Sequence, residues 1–238
     1  AEPGETMMSM RRWLTAQYDF TGISRLFYRS WRIELAAILV VAALTGIGFR
    51  LFGASVGSLG VYDGPGAFLP SSAIHMFDWA LGMFLGGLLL INCGRMWWFS
   101  IGRNPRIRVP LSSYVRHLFL LPLHFLTQKR YRECGRKRPW AIHLALMLSY
   151  MTMLVLIMFF LHLMQSGPAI DWRVHVFGYL ATAGLLGTTA FAIVGRVRKS
   201  EAQYKHSHET DWIFLGLLLF VAGTGIVQHV LHRAGMIY

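Results

Sequence analysis

Cysteine is nearly absent from this chain of 238 residues, which has only Cys93 and Cys134. Two separated thiols cannot hold an iron–sulfur cluster, which takes about four ligands. Any such cluster belongs to another domain or chain. Acidic residues are scarce as well, 11 against 23 Lys and Arg, and all charged residues together make up 14%. The centres of the long apolar runs, such as 146–158 and 215–221, lack Asp, Glu, Lys, Arg and His altogether. A transporter or channel wants polar groups at that depth and interrupted helices, so transport is disfavoured. There is no internal repeat, no low-complexity tract and no stretch resembling a signal-peptide core.

What the chain has in quantity is apolar surface. Hydrophobic residues reach 55% and the mean hydropathy is +0.45, too apolar for an ordinary soluble domain. A hydrocarbon core of roughly 30 Å needs about 20 apolar residues at 1.5 Å each. Five segments meet that length: 33–52, 74–95, 140–164, 174–195 and 212–231. Backbone polar groups in lipid must satisfy each other, so these segments are predicted to be helices. The expected fold class is all-α, a polytopic transmembrane helical bundle of about five spans. A sixth run, 114–126, is short, contains Pro122 and is flanked by Arg116, Lys129 and Arg130; it is expected to be an interfacial helix.

A net charge of +12 suggests nucleic acid until its distribution is considered. Five cations precede or open the first span, eleven lie from Arg95 to Arg138, and four lie before the last span. Only Arg50, Arg173 and Arg233 fall on the other side. This is a positive-inside pattern, not a nucleic-acid footprint. It predicts a multi-pass protein of the cell inner (cytoplasmic) membrane, with a cytoplasmic N-terminus and Tyr238 outside. Both cysteines then avoid the oxidising side, so a disulfide is not expected. The basic segments also suit anionic lipid or an acidic partner subunit. Residues 1–31 mix Arg with aromatics and read as a cytoplasmic amphipathic lead-in. The chain opens on Ala-Glu-Pro-Gly rather than Met, so it is expected to continue upstream.

The sequence contains ten histidines. Ionisable side chains in membrane segments are costly and usually functional. His75, His162, His175, His229 and His232 lie near the outer ends of their predicted spans. His143 lies one turn inside the inner boundary, and His117 and His124 lie on the short sixth segment. His143 and His162 share one span, roughly 28 Å apart along its axis at 1.5 Å per residue. Two sites at opposite faces are what a transmembrane electron wire requires. Paired imidazoles ligate a b-type haem that passes electrons without binding substrate. No Cys-x-x-Cys-His for covalent haem attachment is present. His162 and His175 flank a short hairpin at matching depth, which would let them meet on one metal. The competing account is that span-end histidines hydrogen-bond water and headgroups. Asp78, one turn from His75, either orients it, relays a proton to a quinone, or reaches the interface. Glycines at 82, 86 and 87, at 178, 184 and 187, and at 216, 223 and 225 suit close helix approach, and would also leave room for a flat porphyrin.

Two stretches carry a family resemblance. Lys129-Arg-Tyr-Arg-Glu-Cys-Gly135, followed by Trp140-x-x-His143 and a long apolar span, resembles membrane subunits of quinone-interacting oxidoreductase complexes. Asp211-Trp-x-x-Leu-Gly with Gly223-Thr-Gly is similar to a later helix of the same group. The group includes the gamma subunit of respiratory nitrate reductase and the membrane cytochrome of heterodisulfide reductase. The likeness covers roughly residues 128–235. It implies a cytochrome b-like domain over 32–238 with two b haems. Electrons would pass between menaquinone or ubiquinone and a cytoplasmic iron–sulfur or flavoprotein subunit. His143 matches the family's ligand at the start of its span. The family has a further helix with two more ligands where this chain stops. Either the chain is truncated, or the remaining ligands come from His75, His162, His175 and His229. A cofactor-free membrane anchor is the alternative reading, with a transporter behind it.

Overall fold

The computed structural model of the protein describes residues 3–57, 71–133, 137–165, 172–200 and 202–233. Its regular structure among these residues is all helical, with no strand. The lead-in forms α1 (Pro3–Tyr18) and α2 (Ile23–Arg29), followed by α3 (Trp31–Gly57) and α4 (Ser71–Trp97). A π-helical turn, Trp98–Gly102, extends α4. The basic connection contains α5 (Leu111–Thr127) and the single turn α6 (Lys129–Arg132). Then come α7 (Lys137–Gln165), α8 (Trp172–Arg198), the short α9 (Ala202–Lys205) and α10 (Glu209–Arg233). Among the described residues, α3, α4, α7, α8 and α10 are long and apolar enough to cross a membrane. The five expected spans are therefore present, and the sixth run is a helix of 17 residues with Pro122 inside it. Cys134 lies outside the described residues, as do Asp171 and the outer connection between α3 and α4.

The chain folds as a multi-pass membrane protein whose apolar side chains face outward. Leu39, Leu44, Phe84 and Leu90 are 60 to 74% exposed. In water that would be an aggregation hazard; in a bilayer it is the lipid contact surface. The interior is narrow and centred on α8, which packs against α7 on one side and α10 on the other. The buried face of α8 runs through Val174, His175, Gly178, Ala181, Thr182, Leu185 and Thr189, a helical stripe of mostly small residues. Small side chains let helices approach closely where lipid gives no hydrophobic drive to associate. Leu185 meets Leu218 and Ala222 of α10, with Leu146 and Met153 of α7 packed against them. Hydroxyls in these spans donate back to their own helices, as Thr182 does to the Gly178 carbonyl (2.9 Å) and Thr224 to that of Phe220 (2.7 Å). The Thr189 hydroxyl, fully buried on α8, is an exception and has no hydrogen-bond partner.

The lead-in is tied to the basic end of the bundle. The Asp19 carboxylate accepts the Thr21 and Ser24 N–H groups (3.0 and 2.7 Å) and the Thr21 hydroxyl (2.7 Å). Gly22 turns the chain there with a φ of 72°, a left-handed conformation that favours glycine. Burial pushes the Asp19 carboxyl up, but these hydrogen bonds outweigh it and hold the group down at about 2. Phe20 N–H donates to Asn92 Oδ1 at 2.8 Å, and the Arg95 guanidinium lies over the Phe20 and Phe99 rings. Arg12 pairs with Asp211 at 3.8 Å, and Asp211 in turn accepts the His208 N–H at the start of α10. The lead-in is thus clasped against α4 and α10.

Candidate functional site

The topology sorts the histidines by end. Helices α4 and α8 begin, and α10 finishes, at the end opposite the basic segments. His75, His175 and His229 share that end, while α7 begins with His143 at the basic end.

At the first end, α8 and α10 bring His175 and His229 together. Their ring centroids are 5.5 Å apart with an interplanar angle of 41°. His175 is buried, 3% exposed, within the small-residue stripe of α8. Tyr179, one turn further along α8, is hydrogen-bonded through its hydroxyl to His229 Nε2 at 2.7 Å. Two metal–nitrogen bonds of about 2 Å, plus the ring radii, separate facing imidazole centroids by roughly 6 Å. The observed pair lies close to that separation. Ligation through His229 Nε2 requires the Tyr179 hydroxyl to give way.

His75 does not join this pair. Its helix, α4, packs on α7 and the lead-in rather than in the seam between α8 and α10. Asp78 lies one turn from His75, and its Oδ2 is buried with no hydrogen-bond partner. The side chains of His162 and His232 lie outside the described residues, so the expected meeting of His162 with His175 falls there too.

At the basic end, His143 lines a cavity of about 310 Å³ with His124, Gln128 and Tyr131. This is near the lower bound of small-molecule pockets, ~300–1,000 Å³. His143 Nδ1 is 2.7 Å from Gln128 Oε1, and the Tyr131 ring stands edge-on to the imidazole at 5.5 Å. His124, from the last turn of α5, has a buried Nδ1 with no hydrogen-bond partner. The turn holding these groups is fixed to α7, because Trp140 Nε1 donates to the Thr127 carbonyl at 3.0 Å. His124 is the functional candidate that the sequence did not single out. His117, on the same helix, is instead satisfied by the Ser113 carbonyl at 2.7 Å.

The donor sets bear on which group each site would suit. Among the described residues no cluster of three or more His, Cys, Asp and Glu side chains forms that could hold a metal ion, while His175 and His229 pair directly and His124 and His143 line one cavity. A structural zinc site takes four protein ligands and an iron–sulfur cluster about four thiolates. A haem iron brings four nitrogens of its own and needs only two axial imidazoles. Two imidazoles on one cavity, with no carboxylate beside them, would suit that demand.

Compared with protein-family models, with curated protein sequences and with solved structures, the chain matches none.

Proposed function

We propose that this chain is the membrane electron-transfer subunit of an oxidoreductase complex, a cytochrome b-like bundle with one haem at each end. The observation that carries the reading is the pairing of histidines from different helices at both ends of one apolar bundle. His175 with His229 would hold one haem, and His124 with His143 the other. Bound there, haem iron supplies one-electron chemistry between fixed points. The protein's part is to hold the two imidazole pairs apart by most of the membrane thickness and to keep water from the path between them.

The basic segments orient the reading. Under the positive-inside rule their end is cytoplasmic, together with the N-terminus. Residues 95–138 would then dock an acidic iron–sulfur or flavoprotein subunit. Electrons would pass between that partner and menaquinone or ubiquinone in the bilayer. The resemblance of Lys129–Gly135 and Trp140-x-x-His143 to quinone-interacting membrane subunits points the same way.

The test is a reduced-minus-oxidised optical spectrum of the native complex, with pyridine haemochrome quantitation per chain. The expected result is b-type bands and close to two haems. A complex isolated intact and without haem would overturn the proposal and favour a cofactor-free anchor.

A further inference from the structure

Gln128 sits where α5 ends and α6 begins, with φ 47° and ψ 39°. Left-handed backbone is uncommon for any residue but glycine, and for a glutamine it is an energetic cost met by its surroundings. Those surroundings are visible. Gln128 N–H donates to the His124 carbonyl at 2.8 Å, and its own carbonyl accepts the Tyr131 and Arg132 N–H groups at 2.9 and 3.2 Å. One residue therefore ends the helix that carries His124 and starts the turn that carries Tyr131. Its side chain then reaches across to His143 Nδ1.

An amide oxygen only accepts hydrogen bonds. With Gln128 Oε1 facing Nδ1, a neutral ring in this contact carries its proton on Nδ1 and keeps the lone pair on Nε2. Imidazoles that bind metal are commonly fixed in tautomer and orientation by such a partner, which also tunes their basicity. The geometry points to Gln128 as the positioning residue of the basic-end site, holding His143 in the Nδ1–H tautomer with Nε2 free for a ligand. This rests on the haem reading above for the ligand's identity, but not for the tautomer itself.

The experiment uses the full chain labelled with ¹⁵N-histidine and chemically reduced, so that any low-spin haem is diamagnetic, with His143 assigned by substitution. Wild type is expected to show a protected Nδ1–H at His143. Gln128→Gly removes the amide while relieving the left-handed backbone, so the turn is retained; exchange of that proton should quicken about tenfold. Gln128→Glu keeps an acceptor in place and should restore protection. In haem-loaded samples it should also move the midpoint potential of the His143-ligated haem to more negative values, because a charged acceptor makes the imidazole more basic. A wild-type His143 protonated on Nε2, or an exchange rate unchanged in Gln128→Gly, overturns the inference. Haem content on the same samples separates the two proposals. A protected Nδ1–H in a haem-free native complex supports this one and sinks the haem reading. Two haems with exchange indifferent to Gln128 do the reverse.

Discussion

The hydroxyl of Tyr179 and Nε2 of His229 are hydrogen-bonded at 2.7 Å, across the seam between α8 and α10. That bond occupies the nitrogen that would otherwise face a metal beside His175. The two uses compete, which gives Tyr179→Phe a sign that depends on function. If the pair ligates haem, removing the hydroxyl leaves haem content unchanged or higher. His229→Ala and His175→Ala should each lower it by about one haem per chain. If the pair is only structural, Tyr179→Phe costs about 1 kcal/mol of stability, and no histidine replacement alters the optical spectrum.

His124 and His143 belong to α5 and α7 and line one cavity. If they hold the proposed haem, their single replacements by Ala should give the same phenotype, loss of one redox step while the step from the other end persists. The double variant should lose no more than either single one, because the two side chains act as a unit. A redox titration followed at the haem bands reads this directly. Two steps surviving in His124→Ala would remove that residue from the site.

The spans were legible because length and hydropathy are properties of the segments themselves. The pairing of His175 with His229 was legible only as a shared depth. What selects His229 over His75 is that α8 presents its small residues toward α7 and α10, whereas α4 lies on the far side of α7. His124 was hidden for a different reason. Its helix reads as interfacial, and its approach to α7 depends on the left-handed turn at Gln128. Glycine or asparagine commonly announces such a turn; glutamine does not. Tyr179 was equally silent, since an aromatic residue in a membrane helix has many uses.

Asp19 makes the attachment of the lead-in sensitive to acid. Its folded pKa, about 2, lies below the ordinary value of 3.8. A depressed carboxyl contributes stability that is fully present above the ordinary value and is lost as pH falls through the folded one. Protection of the α2 amides from hydrogen exchange should therefore decline between about pH 4 and pH 2. Asp19→Ala should remove this dependence and leave the turn weaker at neutral pH, by about 1 kcal/mol as for a lost helix cap. A pH profile identical in both proteins would show that Asp19 does not hold the turn.

Gly184 tests whether the seam between α7 and α8 sets the separation of the two sites. A Cβ at Gly184 would run into Ser149 Oγ, and Ser149 is itself buried at 8% exposure. Both helices are committed on their other sides, α7 to α4 and α8 to α10, so neither can back away freely. Gly184→Ala should cost about 1–3 kcal/mol, the range for overpacking a closed contact, and lower the melting temperature in detergent. The obstructing atom is a single hydroxyl. Ser149→Ala should therefore recover most of the loss in the Gly184→Ala background, leaving only the tighter contact with the Ser149 Cβ at 3.3 Å. Because His143 sits on one of these helices and His175 on the other, the proposed two-haem arrangement predicts that the single variant also perturbs both haem signals and that the double variant restores them together. Recovery of stability without recovery of the spectra would mean that the seam holds the bundle but not the cofactor geometry.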